Sequence, residues 1–445
     1  MASDLLSIAR SGTQVARIGL DITAQNIANA SSTGYVRRSA NFQEVASTGG
    51  AYRTGDLSLS GVRLDSIVRN ADAFRQAEVR RTGSDVARAT AETSGLTNIE
   101  SAIETAGVYE AIVGFESALQ QLTEAPTDTS LRTAVLEKAR TMTGTFQIAA
   151  QELDAAGEGL QFLASDGVTQ TNRIAQELAR TNTRLSRASD ASSDRTALLD
   201  QRDKLLQELS DYTNISTSFA TNGTVSVKVG GSAGLDLVTG NSATTLGMTA
   251  AADGTVSYDV GGSALTLSGG SLAGQQLALG KLAQIRLDVD GLAEDIVNTF
   301  NAAQATGADL DGNTGAAIFS GTTAATMTLT VTDPQKLATA ASGSAAGSRD
   351  STNLTAIRNA LSGLDPAGGM DDVLFDVSST LAGRNVTLGA LQTIADTAQI
   401  ALSAQSGVDL DQEAVNLVRF QQAFQASGKV MQVATEIFDT LLGIG

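Results

Sequence analysis

The strongest constraint on the fold lies at the two ends of the chain, where apolar residues recur at helical intervals. Near the N-terminus the recurrence alternates in steps of three and four, at Leu5, Ile8, Gly12, Val15, Gly19, Ile22, Asn26 and Asn29. This spacing is typical of the a and d positions of a coiled coil. Near the C-terminus a helix over about Leu410 to Leu442 carries a stripe at Leu417, Phe420, Phe424, Met431, Ala434, Phe438 and Leu441. We therefore predict two terminal helices that pack on each other and on neighbouring copies.

Two glycines in the N-terminal seam indicate that this helix needs a partner. Gly12 and Gly19 allow close approach of another helix, but each costs on the order of 1 kcal/mol of helix stability relative to alanine. A helix with this defect is marginal alone, so we predict that the seam packs against the C-terminal stripe. The side chains expected to meet are Leu5, Ile8, Val15 and Ile22 on one helix and Leu417, Phe420, Phe424 and Met431 on the other.

Polar residues follow the apolar part of the N-terminal seam. Asn26 and Asn29 either fix the register of paired helices, as buried asparagine does in coiled coils, or cap the helix end. Gly34 suits a turn. Tyr35 either packs that turn or touches a neighbouring subunit. All four residues, Asn26, Asn29, Gly34 and Tyr35, are candidates for a subunit interface.

Long stretches between the two ends have helical character. From about Ser84 to Leu209 there are few breaks, which predicts helices joined by short connections in an antiparallel bundle. Separate helices are predicted over Ile112–Leu122, Leu131–Leu153, Ile174–Leu185 and Leu198–Leu209, then over Leu272–Ala305 and Thr352–Leu361, and from about Leu388.

A β-rich stretch interrupts the helical pattern at residues 213–270, which are rich in Thr, Ser, Val and Gly. Asn222-Gly223 and Asp253-Gly254 each predict a hairpin turn, and Thr326–Val331 predicts another strand. The predicted fold is mainly α, with a coiled-coil-like pair of terminal helices, a long helical bundle as a shaft, and an inserted β-rich lobe. The corresponding domains are a terminal assembly domain (1–45 with 406–445), a helical shaft (46–212, 272–306 and 350–405) and the lobe (213–271 and 307–335).

Composition excludes several kinds of chemistry. The 445 residues include no His and no Cys, so His-dependent catalytic triads, disulfides and thiolate metal sites are impossible. The segment from Asp309 to Asn313 is similar to a calcium-binding loop, but Ser320 stands where the twelfth ligand should be glutamate. We predict a polar turn there, and neither a metal nor a cofactor.

The charge and the hydropathy pattern limit the partners. A formal charge of -18 disfavours nucleic acid and anionic membrane surfaces. No run of about 18 apolar residues occurs, so no membrane insertion is expected. The start of the chain lacks a basic segment followed by an apolar core, which predicts that there is no cleaved signal peptide.

Three segments resemble a known family. Ala24-Gln25-Asn26-Ile27-Ala28-Asn29, followed by Thr33-Gly34-Tyr35, resembles the N-terminal signature of bacterial flagellar rod, hook and hook-associated proteins. The stretch from Gly407 to Phe424 with the ending Ile437–Leu442 looks like the C-terminus of the hook-associated protein 1 family, which forms the first junction between hook and filament. The stretch Leu198–Ser210 is similar to the same family. The matches lie at both ends and in the middle of the chain, in the family's order.

The resemblance implies a structural, non-enzymatic subunit of the hook–filament junction, located outside the cell and exported by the flagellar type III apparatus. The partners that it implies are further copies in a ring, the hook protein, the second junction protein, and an export chaperone on the C-terminal helix. It also implies that an outer domain present in many members is reduced or missing after the Asp309 loop.

Two other functions remain open from the sequence. One is a different axial subunit, such as the hook protein or the second junction protein. The other is a carboxylate-dependent cell-wall hydrolase, which would need two acidic residues converging in a cleft. The acidic residues are spread over predicted helix surfaces, so we expect no enzymatic activity.

Overall fold

The computed structural model describes residues 2–32, 34–48, 57–189 and 193–442, and within these ranges the side chains of residues 2–4, 46–48, 57–60, 193, 441 and 442 are not described. In chain order, the first elements are helix α1 (Ala2–Ala28), strands β1 (Arg38–Thr48) and β2 (Leu57–Arg69), and helices α2 (Ala73–Ala106), α3 (Val108–Leu122), α4 (Thr129–Leu185) and α5 (Ser193–Tyr212). Strands β1 and β2 pair antiparallel as a long hairpin, with Arg38 opposite Arg69.

Short strands follow α5. They are β3 (Ile215–Phe219), β4 (Val225–Val229), β5 (Leu235–Thr239), β6 (Ser242–Ala243), β7 (Leu246–Ala250), β8 (Val256–Val260) and β9 (Ser263–Leu265). They form one sheet in the order β3-β4-β5-β6 and a second in the order β7-β8-β9. Both predicted hairpin turns are confirmed. Gly223 and Gly254 adopt φ angles of 84° and 85°, a conformation that favours glycine.

The last part of the chain returns to helix. Its elements are α6 (Ser271–Gln304), the short strands β10 (Gly307–Ala308), β11 (Phe319–Ser320), β12 (Thr328–Leu329) and β13 (Ala340–Ala341), and helices α7 (Thr352–Leu364), α8 (Pro366–Ser406) and α9 (Leu410–Leu442). The predicted fold class, mainly α with β-rich segments, is confirmed. The bounds of α9 agree with the prediction, and those of α6 agree to within one residue.

Three predicted helix boundaries are wrong. The helices predicted over 131–153 and 174–185 are one continuous helix, α4, of 57 residues. Helix α8 begins at Pro366 and not near Leu388, and α2 begins at Ala73 and not near Ser84. Glycines such as Gly157 and Gly383 weaken the helical pattern locally, but a glycine inside a helix costs only about 1 kcal/mol.

The chain divides into two compact units. Unit 1 consists of Met1–Asp85, Gln170–Leu246 and Leu391–Gly445, and unit 2 of Val86–Thr169 and Gly247–Ala390. The sheet β3–β6 belongs to unit 1, whereas β8 and β9 belong to unit 2. The predicted β-rich stretch 213–270 therefore does not form a single sheet.

Unit 2 has a helical core completed by an aromatic cluster and a buried arginine. The rings of Phe115, Phe300 and Phe319 lie 5.1–5.8 Å apart between centroids. Arg132 on α4 is fully buried and donates to the carbonyl oxygens of Pro126 and Leu337 at 2.6 and 2.8 Å. Burial lowers the pKa of Arg132 to about 10, so the guanidinium stays charged at neutral pH.

Candidate assembly site at the paired terminal helices

Helices α1 and α9 of unit 1 pack against each other in antiparallel orientation. A Cβ on Gly12 would lie 2.8 Å from Ser427 Oγ, and a Cβ on Gly19 would lie 2.6 Å from the ring of Phe420. One heptad further along, Asn26 Nδ2 lies 3.2 Å from Glu413 Oε2. Each step of seven residues forward on α1 is thus a step of seven backward on α9, which is a regular heptad pairing. The predicted pairing of the two chain ends is confirmed.

The face of α1 that is buried is built from small residues. Its buried members include Ala9, Ala16, Gly19, Thr23 and Asn26. Ala9, Ala16 and Thr23 each lie one residue after a predicted seam position, whereas Gly19 and Asn26 belong to the predicted seam. The small side chains of alanine and glycine let the two backbones come close together. Gly19 faces the ring of Phe420 across the pair and leaves no room for a Cβ there.

Several predicted seam residues are not buried in the single chain. Leu5 and Ile8 are 42% and 37% exposed, and Phe424 and Phe438 are 41% and 51% exposed. The prediction that Leu5, Ile8 and Phe424 bury between α1 and α9 is therefore wrong for the single chain. Phe438 was predicted only as part of the C-terminal stripe and of a subunit interface. Ile22 is buried as predicted, and Val15, Leu417, Phe420 and Met431 are half-buried. The side chain of Leu441 lies outside the described residues.

Asn26 is the centre of a polar cluster between α1, α9 and the hairpin. Its Nδ2 donates to the carbonyl oxygen of Arg38 at 2.9 Å and to Glu413. Its Oδ1 accepts from the Tyr35 hydroxyl at 2.9 Å and from the Arg38 amide at 3.0 Å. The amide group thus uses both donors and both lone pairs. Glu413, only 1% exposed, also accepts from Arg37 Nε at 2.7 Å.

The other polar residues of the N-terminal signature have more local contacts. Asn29 Nδ2 donates to the Gln25 carbonyl oxygen of the same helix, which fits the capping alternative for this residue. Gly34 adopts a φ of 79° in an exposed turn, as predicted from the sequence. Tyr35 packs that turn through Asn26, and the Arg38 guanidinium lies 5.2 Å from the centre of its ring. Burial raises the pKa of the Tyr35 hydroxyl.

Neutralising Glu413 is expected to loosen the polar cluster. Replacing it with leucine leaves Arg37 and Asn26 without their buried acceptor, and hydrogen bonds to a charged group contribute about 1.5–3 kcal/mol. We expect the stability of the α1–α9 pair to fall by that amount, and faster amide exchange in α1 and α9 measures the change. Glu436→Leu, at an exposed position of the same helix, is the matched control. Equal exchange in the two variants would contradict a structural role for the cluster.

A second cluster ties the hairpin to α5. Arg69 Nη2 lies 2.8 Å from carboxylate oxygens of both Asp200 and Asp203. Arg38 pairs with Asp200 at 2.5 Å, and Arg202 pairs with Asp203 at 2.6 Å. The side chains of Arg69, Arg202 and Asp203 are at most 10% exposed, so the pairs are largely shielded from water.

Sequence reasoning missed both clusters, although it singled out Asn26. The available signals were the basic pair Arg37-Arg38 directly after the turn, and two aspartates three residues apart on one helix. Neither signal identifies its partner, because the partners are far away in sequence. Arg37 and Glu413 are 376 positions apart, and Arg38 and Asp200 are 162 positions apart.

Helix α9 carries a second apolar face, which we call the outer stripe, formed by Val415, Val430, Val433 and Ile437. These side chains are between 42% and 63% exposed. At about 100° per residue they lie about 80–140° around the helix from Phe420. Because Phe420 packs against α1, the outer stripe is not part of the α1–α9 contact.

Two kinds of feature are not found in the part of the chain that the structure describes. Among them, no group of three or more acidic side chains is placed to hold a metal ion. None of the helices that the structure describes has an apolar stretch long enough to cross a bilayer. What the site offers is apolar surface on a helix pair held in register by buried polar contacts, which is the kind of surface that structural subunits use in assembly.

Comparison with known proteins identifies the family. The family of the flagellar hook-associated protein FlgK helical domain matches residues 94–319, and the C-terminal domain of flagellar basal body rod proteins FlgEFG matches residues 400–444. Flagellar hook-associated protein 1 of Salmonella typhimurium is 26% identical over 556 positions, covering 99% of this chain and all of that protein. The same protein of Bacillus subtilis is 23% identical over 496 positions, covering 99% of this chain and 98% of that one.

One solved structure is also similar. The flagellar hook junction protein FlgK from Burkholderia pseudomallei matches with a TM-score of 0.49 and 25% identity, over 55% of this chain and 46% of that chain. Because the family model of the FlgK helical domain matches residues 94–319, just over half of the chain, the chain is a flagellar structural protein. It belongs to the family of flagellar hook-associated protein FlgK.

Proposed function

We propose that this chain is a subunit of the junction between hook and filament, and that filament attachment and assembly require it. The support is the similarity over 99% of the chain to proteins named flagellar hook-associated protein 1. The family match at residues 94–319 favours this assignment over the hook protein or the second junction protein. Neither described unit offers an observation that favours a hydrolase.

The structural observation that supports contact with neighbouring subunits is the outer stripe of α9. A helix that is apolar on two faces is stable in water only when both faces are covered, and α1 covers one of them. Burying a valine or isoleucine side chain completely contributes roughly 1.5–3 kcal/mol. We propose that neighbouring subunits cover the outer stripe, together with the exposed seam residues Leu5, Ile8, Phe424 and Phe438.

The remaining parts of the chain have supporting roles in this proposal. Residues 1–45 with 406–445 form the assembly domain, in which Asn26 sets the register, while Asn29, Gly34 and Tyr35 shape the turn that follows. Residues 46–212, 272–306 and 350–405 form the shaft, and residues 213–271 with 307–335 form the β-rich lobe. Leu441 belongs to the same stripe as Phe424 and Phe438 by its spacing.

The proposed partners and location follow the family. They are copies of the chain in a ring, the hook protein, the second junction protein, and an export chaperone on α9 before assembly. The chain functions outside the cell, as part of the flagellum. Nucleic acid and membrane lipids are not proposed as partners, since the formal charge of -18 repels both phosphate backbones and anionic headgroups.

Deletion of the gene in a motile bacterium that carries it tests the proposal. The expected result is cells that retain hooks but lack filaments, with flagellin lost to the medium, and recovery when the gene is restored. Hooks with normal filaments would contradict the proposed function. Cells without hooks would instead indicate a role in the rod or the hook.

A further inference from the structure

Two stretches of the β-rich region have nearly the same sequence. Residues 220–233 and 251–264 align without a gap at an offset of 31 positions, and ten of the fourteen residues are identical. The four differences fall at positions 221, 222, 227 and 228 of the first stretch. Thr, Val, Ser and Gly are frequent in this region, but a shared composition does not place ten identical residues in the same order.

The two stretches also fold in the same way. Strands β3 and β4 begin at residues 215 and 225, and β7 and β8 begin 31 residues later, at 246 and 256. Asn222 Oδ1 accepts from the Thr224 amide at 3.1 Å and from its hydroxyl at 2.8 Å. Asp253 Oδ1 accepts from the same two groups of Thr255 at 2.9 and 2.7 Å. The first repeat (215–240) and the second repeat (246–270) therefore match in structure as well as in sequence.

Each repeat leaves one carbonyl oxygen of its middle strand without a partner on the third strand. Pairing of β4 with β5, and of β8 with β9, begins two residues after Val225 and Val256. The Val225 carbonyl oxygen accepts instead from Asn182 Nδ2 at 2.8 Å, and that of Val256 accepts from Gln276 Nε2 at 3.1 Å. Because a buried carbonyl group needs a donor, a helix side chain takes the place of the missing strand in both repeats.

The turn of each repeat binds a helix through a second matched carbonyl oxygen, that of its glycine. The Gly223 carbonyl oxygen accepts from Arg202 Nη1 on α5 at 2.6 Å. The Gly254 carbonyl oxygen accepts from Gln161 Nε2 on α4 at 2.9 Å. All four donors lie in the same unit as the carbonyl group that they bind. The acceptors thus occupy equivalent positions, although the donors differ in residue type and in helix.

We infer that the first and second repeats are two versions of one hairpin module, and that each stabilises its own unit by binding helix side chains through the same two carbonyl oxygens. The repeats differ at one buried position, where Val227 of the first corresponds to Tyr258 of the second. The Tyr258 hydroxyl donates to the Leu272 carbonyl oxygen at 3.1 Å, which gives the second repeat a further contact with α6.

Removing one donor at a time from the full chain tests the inference. Asn182→Ala leaves the Val225 carbonyl oxygen without its donor, so amide exchange in β4 and β5 should become about tenfold faster or more, because a buried acceptor left unpaired is costly. Exchange in β8 and β9 should stay unchanged. Gln276→Ala should give the opposite pattern. The controls are Gln176→Ala on α4 and Gln284→Ala on α6, at exposed positions, and neither should alter exchange in the strands.

The location of the faster exchange decides the outcome. If either donor variant behaves like its control, or if both hairpins respond equally to one variant, the inference is overturned.

A second pair of variants tests whether the two turns are equivalent and does not depend on the donors. Thr224→Val and Thr255→Val each remove the threonine hydroxyl and keep the amide. Each should speed exchange in its own hairpin by factors within about fivefold of each other, since both lose the same kind of hydrogen bond. A larger difference, or no effect in one hairpin, would also overturn the inference.

Discussion

Replacing Asp203 with alanine is expected to destabilise unit 1 by about 3–5 kcal/mol, the usual loss when one partner of a buried ion pair is removed. Asp203 faces the guanidinium groups of Arg69 and Arg202, and both of these side chains are less than 10% exposed. Without the carboxylate, two buried positive charges lose a partner at the junction of the hairpin and α5. The measurement is denaturant unfolding of the full chain, together with amide exchange in β1, β2 and α5.

The control for this prediction is Lys204→Ala, one position further along α5. The Lys204 side chain is 75% exposed, so its removal should change stability by less than about 0.5 kcal/mol. A loss for Asp203→Ala no larger than for the control would show that the ion pairs do not hold the hairpin on α5.

The same cluster predicts a loss of stability in acid. Burial alone would raise the pKa of Asp203, but the Arg202 and Arg69 guanidiniums outweigh it and lower the pKa below the usual value of 3.8. An aspartate with a depressed pKa in the folded state stabilises the fold above its unfolded pKa, and this stability is lost as the pH falls through the folded value. Unit 1 should therefore lose this stabilisation below about pH 4, and Asp203→Asn should show a smaller change over that range.

Leucine at Gly19 is expected to force α1 and α9 apart. Even a Cβ at this position would lie 2.6 Å from the Phe420 ring, and the ring also packs edge-on against Phe42 at 6.4 Å between centroids. Phe420 therefore has little room to move. Overpacking typically costs about 1–3 kcal/mol of stability, and we expect Gly19→Leu to cost at least the upper end of this range. Amide exchange in α1 and α9 measures the loss of stability.

A glycine of the partner helix provides the matched control. A Cβ on Gly428 meets nothing within 4 Å, so Gly428→Ala should stabilise α9 by up to about 1 kcal/mol through helix propensity. Gly19→Ala should lose stability and regain part of it when combined with Phe420→Leu. If Gly19→Leu and Gly428→Ala had the same effect, the close packing of the two helices would be wrong.

The sequence was informative where one helix face repeats a simple pattern. The ends of α9 and the pairing of α1 with α9 follow from heptad spacing and from the glycines of the seam. The side chains that bury were harder to predict, because several of the largest apolar residues at the two ends are not covered by the helix pair. The close approach instead selects Ala9, Ala16 and Gly19, whose small size is the reason why they are buried.

Contacts between distant parts of the chain were not predictable from periodicity. The Asn26–Glu413 and Arg69–Asp203 contacts join residues that are far apart in sequence, and a charged residue on a helix is usually solvated. The length of α4 was also missed, because a local loss of helical pattern is readily overridden when tertiary packing stabilises the helix.

Incorporation of a variant with a charged outer stripe into flagella tests the central claim most directly. In Val433→Asp with Ile437→Asp, two side chains that are 52% and 42% exposed each gain a charge, four residues apart. The control, Gln421→Asp with Gln425→Asp, adds the same charges at the same spacing to exposed positions on the other flank of α9.

Both variants should keep the circular dichroism and unfolding midpoint of the unaltered chain. We predict that the control joins hook to filament normally, while the outer-stripe variant is secreted but not retained. Normal retention of the outer-stripe variant would contradict the claim that neighbouring subunits cover this face of α9.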